Sequence, residues 1–135
     1  MEAIIEGVRQ LLKNNVDEKT LATSQNFFKE KISFYGVAVP KVNKIAKDSF
    51  FEIENRSKTE IFGLCEELWL SGYIEESFIA CNWSYYVCKR FEAGDFDVFE
   101  RWIDLYVNNW ASCDTLCNHT VGEFMEMYPE YIDRL

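Results

Sequence analysis

The segment from Tyr73 to Phe91 constrains this chain more than any other, because its apolar residues do not keep to one face. Phe78, Ile79, Trp83, Tyr86 and Val87 point in several directions around a helical wheel. A helix that is apolar over most of its circumference is stable in water only when neighbours cover it on more than one side. The rest of the sequence must therefore supply several packing surfaces.

It supplies them as a series of amphipathic segments. Ile4, Ile5, Val8, Leu11 and Leu12 recur at steps of three and four, which predicts a helix over Glu2 to Asn14. Asp17 is placed to cap a second helix whose apolar positions include Leu21, Phe27, Phe28 and Ile32. Ser33 to Val39 breaks the period. Pro40 restarts it, since proline's fixed φ and missing N–H suit a first helical turn, and Val42, Ile45, Ala46, Phe50 and Ile53 carry the third helix on. Ser57, with Glu60 three residues later, matches a capping box ahead of Ile61, Leu64, Cys65, Leu68 and Trp69, and Gly72 ends that helix.

Beyond Phe91, Ala93-Gly94 is a break, Asp95 can cap, and Phe96, Phe99, Trp102, Ile103, Tyr106 and Val107 form a further stripe. Leu116, Val121, Phe124 and Met125 mark a seventh segment, and Pro129 opens a short eighth. No run of alternating β-branched residues bounded by hairpin signals occurs. The expected fold is all-α, with about seven or eight short helices stacked in pairs of roughly 35 to 45 residues each, the period of HEAT and armadillo repeats.

A chain of 135 residues fits one domain, here residues 1–135, with a core that needs neither disulfides nor metal. The 22 aromatic residues (four Trp, seven Tyr and eleven Phe) are mostly core. The five cysteines are odd in number and lie inside helical patterns, which predicts free thiols in a reducing, cytoplasmic setting. No apolar run approaches the roughly 20 residues that span a bilayer, so no membrane is expected.

Charge limits the partners. Fourteen Lys and Arg against 23 Asp and Glu leave a net −9, which repels phosphate overall, so a nucleic-acid partner requires a local basic patch. Lys29, Lys31, Lys41, Lys44 and Lys47 form one around Gly36 and Pro40, while the acids concentrate later. Tyr35, in a loop before the proline, is placed to reach a backbone phosphate.

Only Asn108 to Thr115 points to chemistry. One helical stripe stops there, an indole and a carboxylate follow four residues apart at Trp110 and Asp114, and a new helical pattern begins. Capping by Ser112 would put Asp114 in the first turn and Trp110 just before it, so that both can face one concave surface. Cys113, Cys117 and His119 do not make a metal site, because on a helix His119 points away from the two cysteines. No Gly-rich phosphate loop occurs, and no cofactor is expected.

Three spaced patches resemble the HEAT-like DNA alkylation repair enzymes, the alkylpurine DNA glycosylases. Tyr35-Gly36-Val37-Ala38-Val39-Pro40 with the following Lys41 to Lys47 is similar to that family's Gly-Val-x-x-Pro turn and helix. Glu67-Leu68-Trp69, Glu75-Glu76 and Ala80 are similar to its Leu-Trp, Glu and Ala pattern. Trp110-Ala111-Ser112-Cys113-Asp114, with Gly122 downstream, resembles its Trp-x-x-x-Asp. The resemblance runs through the whole chain and about the first three-fifths of a family member, so truncation at the C-terminal end is expected.

What the resemblance implies is a right-handed superhelix of HEAT-like repeats whose concave face holds duplex DNA carrying an N3- or N7-alkylated purine. Asp114 would stabilise the sugar cation or orient the attacking water, Trp110 would wall the deoxyribose, and Tyr35, Lys41, Lys44 and Lys47 would meet the DNA. Asn43 and Ser77 depart from the family's basic residues, and its later arginine lies beyond Leu135. A non-catalytic helical-repeat scaffold for a protein partner is the alternative, and pairing of two copies through the C-terminal end is expected if end repeats are missing.

Overall fold

A computed structural model describes residues 2–27, 33–106 and 116–134, and among these residues every regular element is helical. Trp110, Asp114, Cys113, Lys29, Lys31, Phe28 and Ile32 lie outside the described residues. The helices are α1 (Ala3–Asn14), α2 (Glu18–Phe27), α3 (Val39–Phe50), α4 (Lys58–Leu70), α5 (Ile74–Tyr86), α6 (Asp95–Leu105) and α7 (Gly122–Met127). A π-helical turn, Leu116–Val121, leads into α7, and 3-10 turns occupy Cys88–Arg90 and Pro129–Arg134.

The local chemistry of the starts and stops is largely as expected. Asp17 accepts from the backbone N–H of Thr20 at 3.0 Å and from its hydroxyl at 2.6 Å, capping α2. Those bonds hold the Asp17 carboxyl below its ordinary range, the side-chain bond from Thr20 contributing most. Ser57 Oγ accepts from the Glu60 N–H at 3.2 Å at the start of α4. Pro40 sits in the first turn of α3. Past the end of α4, Gly72 takes φ +77°, a left-handed conformation that costs glycine little.

Two expectations need correction. The helix begun at Ile74 ends at Tyr86, and the apolar pattern continues because Val87 and Phe91 are buried on either side of the 3-10 turn. Asp95 does not cap α6 from outside; it is the first helical residue, and its carboxylate accepts the N–H of Glu92 at 2.8 Å and pairs with Lys58 at 2.9 Å.

Packing follows the hydrophobic logic of α5. Ile74, Ile79, Ala80, Cys81 and Trp83 are all buried, and α5 lies against α4, α3 and the Leu116–Val121 turn. Alternate elements stack in sequence, α1 on α3, α3 on α5, and α5 on Leu116–Val121, as consecutive helical pairs do. Buried polar groups stitch the stack. Trp83 Nε1 donates to the carbonyl of Ala46 on α3 at 2.9 Å, and the hydroxyls of Ser84 and Thr120 meet at 2.9 Å between α5 and the π-helical turn. Thr120 Oγ1 also donates to the Cys81 carbonyl at 3.1 Å.

On the other side, a ring cluster closes α4 against α6. Phe62 meets Phe99 and Trp102 edge-on at centroid separations of 5.7 and 5.6 Å, and Phe99 reaches Phe124 of α7 at 5.6 Å. Trp83, Trp102, Phe96, Phe99 and Phe124 are fully buried, and truncating any one to alanine should cost about 3–5 kcal/mol.

Candidate functional site

The loop before α3 is fixed from below by two acids in the first turn of α5. Glu75 turns its carboxylate up into the loop backbone, where Oε1 accepts from the N–H of Tyr35 at 3.0 Å and Oε2 from those of Gly36 and Val37 at 2.8 and 3.1 Å. Glu76, at 0% exposure, takes the hydroxyl of Tyr35 at 2.6 Å and the guanidinium Nε of Arg9 at 3.0 Å. The Ile74 N–H, orphaned at the helix start, donates to the Ser33 carbonyl at 3.0 Å, beside a single parallel bridge between Ser33 and Tyr73.

Gly36 makes this approach possible. Its φ of +95° is left-handed, and a Cβ there would stand 2.8 Å from Leu21 Cβ. The Gly36 carbonyl accepts the Asp17 N–H at 2.9 Å, so one residue ties the loop both to α5 and to the start of α2.

Tyr35 is therefore held at both ends. Its ring stacks on Tyr73 with centroids 4.3 Å apart, and its hydroxyl is committed to Glu76. Burial, then the hydrogen bond to Glu76, raises the phenol's pKa well above its usual value. An ionised phenol beside a buried carboxylate is doubly disfavoured. Any contact it makes with a phosphate would be through the ring edge or the loop backbone.

Lys41, Lys44 and Lys47 lie on the exposed side of α3. Lys44 pairs with Asp48 one turn on at 3.1 Å, a solvated contact worth little. Across the α3–α5 seam, Asn82 Nδ2 donates to Asn43 Oδ1 at 3.0 Å. Further along α5, Tyr85 meets His119 of the π-helical turn edge-on at 5.6 Å. Asn43 and Lys47, like Asn82 and Tyr86, are a helical turn apart, so lysines, amides and ring edges share the surface of the stacked helices α3, α5 and Leu116–Val121.

The remaining titratable groups fit structural roles. Burial pushes the Cys65 and Cys81 thiols upward, which removes them as nucleophiles. Among the described residues, no three His, Cys, Asp or Glu side chains gather as a metal ion would need. No described helix is long and apolar enough to cross a membrane. On α6, Arg101 and Trp102 Nε1 both donate to Glu66, the indole at 3.0 Å. Burial would raise the Glu66 carboxyl, but the bonds from Arg101 and Trp102 outweigh it and hold it below its ordinary range.

Sequence reasoning missed the Glu75 and Glu76 joint. Acids in a first helical turn ordinarily face water and the helix dipole. The available signal was that these two open a helix apolar nearly all round, leaving them no solvent face.

No curated protein and no solved structure matches the chain. A family model described as DNA alkylation repair enzyme matches residues 8–135. It spans all three resembling patches and nearly the whole chain, and the protein belongs to the DNA alkylation repair enzyme family.

Proposed function

We propose that this chain is an alkylpurine DNA glycosylase, hydrolysing the N-glycosidic bond of N3- or N7-alkylated purines in duplex DNA held along a right-handed superhelix of HEAT-like helical pairs. The observation that carries the reading is the stacking of α3, α5 and Leu116–Val121. Helix α3, whose exposed side carries the lysines, and the turn that follows Asp114 in sequence are both packed on α5. Family membership supplies the class of repair.

The chemistry asks little of the protein, because an N-alkylated purine already carries positive charge. The glycosidic bond breaks with both electrons going to the base, which leaves neutral, and the sugar becomes an oxocarbenium ion. Asp114 stabilises that cation and orients the water that adds to C1′, and the water's proton passes to the carboxylate and then to solvent. Trp110 packs on the deoxyribose and excludes competing water. Lys41, Lys44 and Lys47 meet phosphates, with Tyr35 at the rim of their loop.

Release of 7-methylguanine or 3-methyladenine from methylated duplex tests this directly. Asp114→Asn should abolish excision while leaving DNA binding in place. Replacing Lys41, Lys44 and Lys47 together by alanine should flatten the slope of log affinity against log salt by about 2–3. The alternative, a non-catalytic scaffold that binds protein, is favoured by the net charge of −9. Absence of both excision and salt-dependent DNA binding would leave that reading standing. Pairing of two copies through the C-terminal end is proposed independently of either reading, and a strict monomer by light scattering would remove it.

A further inference from the structure

Among the described residues one element, Leu116–Val121, is π-helical, a rare conformation that recurs at functional sites. The residues around it hold it in place. Thr120 is fully buried, its hydroxyl meeting that of Ser84 at 2.9 Å and donating to the Cys81 carbonyl at 3.1 Å. Where the turn passes into α7, a Cβ on Gly122 would stand 3.2 Å from the Cys117 carbonyl, closer than side chains normally sit. Glycine there lets the widened turn run into the helix.

A turn anchored from below fixes what it carries above. Beside the buried Thr120, His119 is exposed, with its ring edge-on to Tyr85 of α5. Glu123, one turn further on, makes no ion pair with the imidazole, and no other described carboxylate does. The next residue of α5, Tyr86, is edge-on to Phe50 of α3 at 5.1 Å, and one turn back along both helices Asn82 reaches Asn43. Lys47 lies between Asn43 and Phe50 in α3, four residues from one and three from the other, and so shares their face. Lys47, Tyr86, Tyr85 and His119 therefore follow one another across three packed elements. Neighbouring helices stand about 8–10 Å apart, which separates Lys47 from His119 by roughly 16–20 Å. Phosphates of one strand recur about every 3.4 Å along a duplex axis, so lysines on α3 alone would grip one end of such a span and leave the other unheld.

We propose that His119 is a second anchor for the duplex, donating a ring N–H to a backbone phosphate, with the π-helical turn as the device that holds it on the lysine-bearing face. Tyr85 sets the plane of the imidazole, and Thr120 fixes the backbone beneath it. The inference rests on the duplex-binding part of the glycosylase reading and adds to it a contact five residues beyond Asp114 in sequence.

Fluorescence anisotropy with undamaged duplex, alongside steady-state excision of 7-methylguanine, tests the contact in two variants. His119→Phe keeps a ring against Tyr85 and removes both nitrogens, while His119→Gln discards the ring and keeps an N–H donor. His119→Phe should weaken duplex binding and raise KM roughly five- to tenfold, with kcat within about twofold of wild type, and His119→Gln should recover most of that loss. A purely structural ring would give the reverse order. Wild-type affinity in His119→Phe, or a loss in His119→Gln as large as in His119→Phe, overturns the proposal. Excision by the wild type with His119→Phe unimpaired would defeat this inference and leave the glycosylase reading intact, whereas His119-dependent duplex binding without any excision would defeat that reading and leave the anchor.

Discussion

Two joints hold this fold together with the same materials, carboxylates against cations and backbone N–H groups, but one is sealed and the other is open to water on one side. Tyr35, Gly36 and Val37, just ahead of α3, are locked to α5 by Glu75 and Glu76, at 3% and 0% exposure. The joint between α4 and α6 is made by Lys58 with Glu92 and Asp95, where the Lys58 and Asp95 side chains are 13% and 11% exposed and that of Glu92 is 80% exposed. Buried carboxylates surrounded by donors cannot trade those donors for water, so losing one partner leaves a stranded group. At the second joint Glu92 stands in water and Asp95 keeps the Glu92 N–H, so the loss of Lys58 is partly made good. The difference predicts a steep gradient of mutational cost.

Glu75→Ala should have the largest effect. It strands the backbone N–H groups of Tyr35, Gly36 and Val37 at once. A loss of about 3–5 kcal/mol in urea unfolding is expected. A loss under 1 kcal/mol would mean that water reaches the loop and that the buried joint is not different in kind.

Gly36→Ala comes next. Besides the left-handed φ of +95°, the new methyl would press on Leu21 Cβ at 2.8 Å and Cδ1 at 2.9 Å. Backbone strain and displacement of α2 together should cost about 2–3 kcal/mol. Leu21→Ala in the same chain should recover part of it, leaving the φ penalty alone.

Tyr35→Phe sharpens the comparison through pH. At neutral pH it should cost about 1–2 kcal/mol for one charge-assisted hydrogen bond. Because burial and Glu76 raise the phenol's pKa in the folded state, the native protein holds that proton above pH 10 while the unfolded chain releases it. The stabilisation is complete below the unfolded value and is lost as pH rises past it. Wild type should therefore lose stability more steeply than Tyr35→Phe above about pH 10. Parallel curves would show the hydroxyl to be solvated.

Much of this architecture was legible because apolar spacing and caps are local. The expected stripe of α1 buries Ile5, Val8 and Leu12, the Ser57 cap forms, and α5 is enclosed as its apolar circumference demands. What was not legible depends on partners distant in sequence. Glu75 and Glu76 meet residues about 40 and 67 positions away, which no local pattern encodes. Asp95 looked like a cap because only its neighbours were visible, while its partner Lys58 lies on another helix. Trp110 and Asp114 stood out where a stripe stopped, but their chemical roles came from family resemblance, since an indole and an acid four residues apart otherwise describe an ordinary helix start.

Lys58→Met should produce the smallest change. The lysine's stem runs into the joint, its side chain only 13% exposed, and Nζ also donates to the Arg90 carbonyl at 3.0 Å. Burial alone would lower the ammonium pKa, but the bonds to Asp95 and Glu92 outweigh it and raise it. That stabilisation is present below the unfolded value and fades as pH rises past it, in the same direction as Tyr35. Methionine keeps the stem's packing and removes the charge, so the expected cost is about 0.5–1 kcal/mol, shrinking further in 1 M salt as screening weakens the pairs in wild type. A cost as large as that of Glu75→Ala, unmoved by salt, would show that Asp95 behaves as a stranded buried acid, and the contrast between the two joints would collapse.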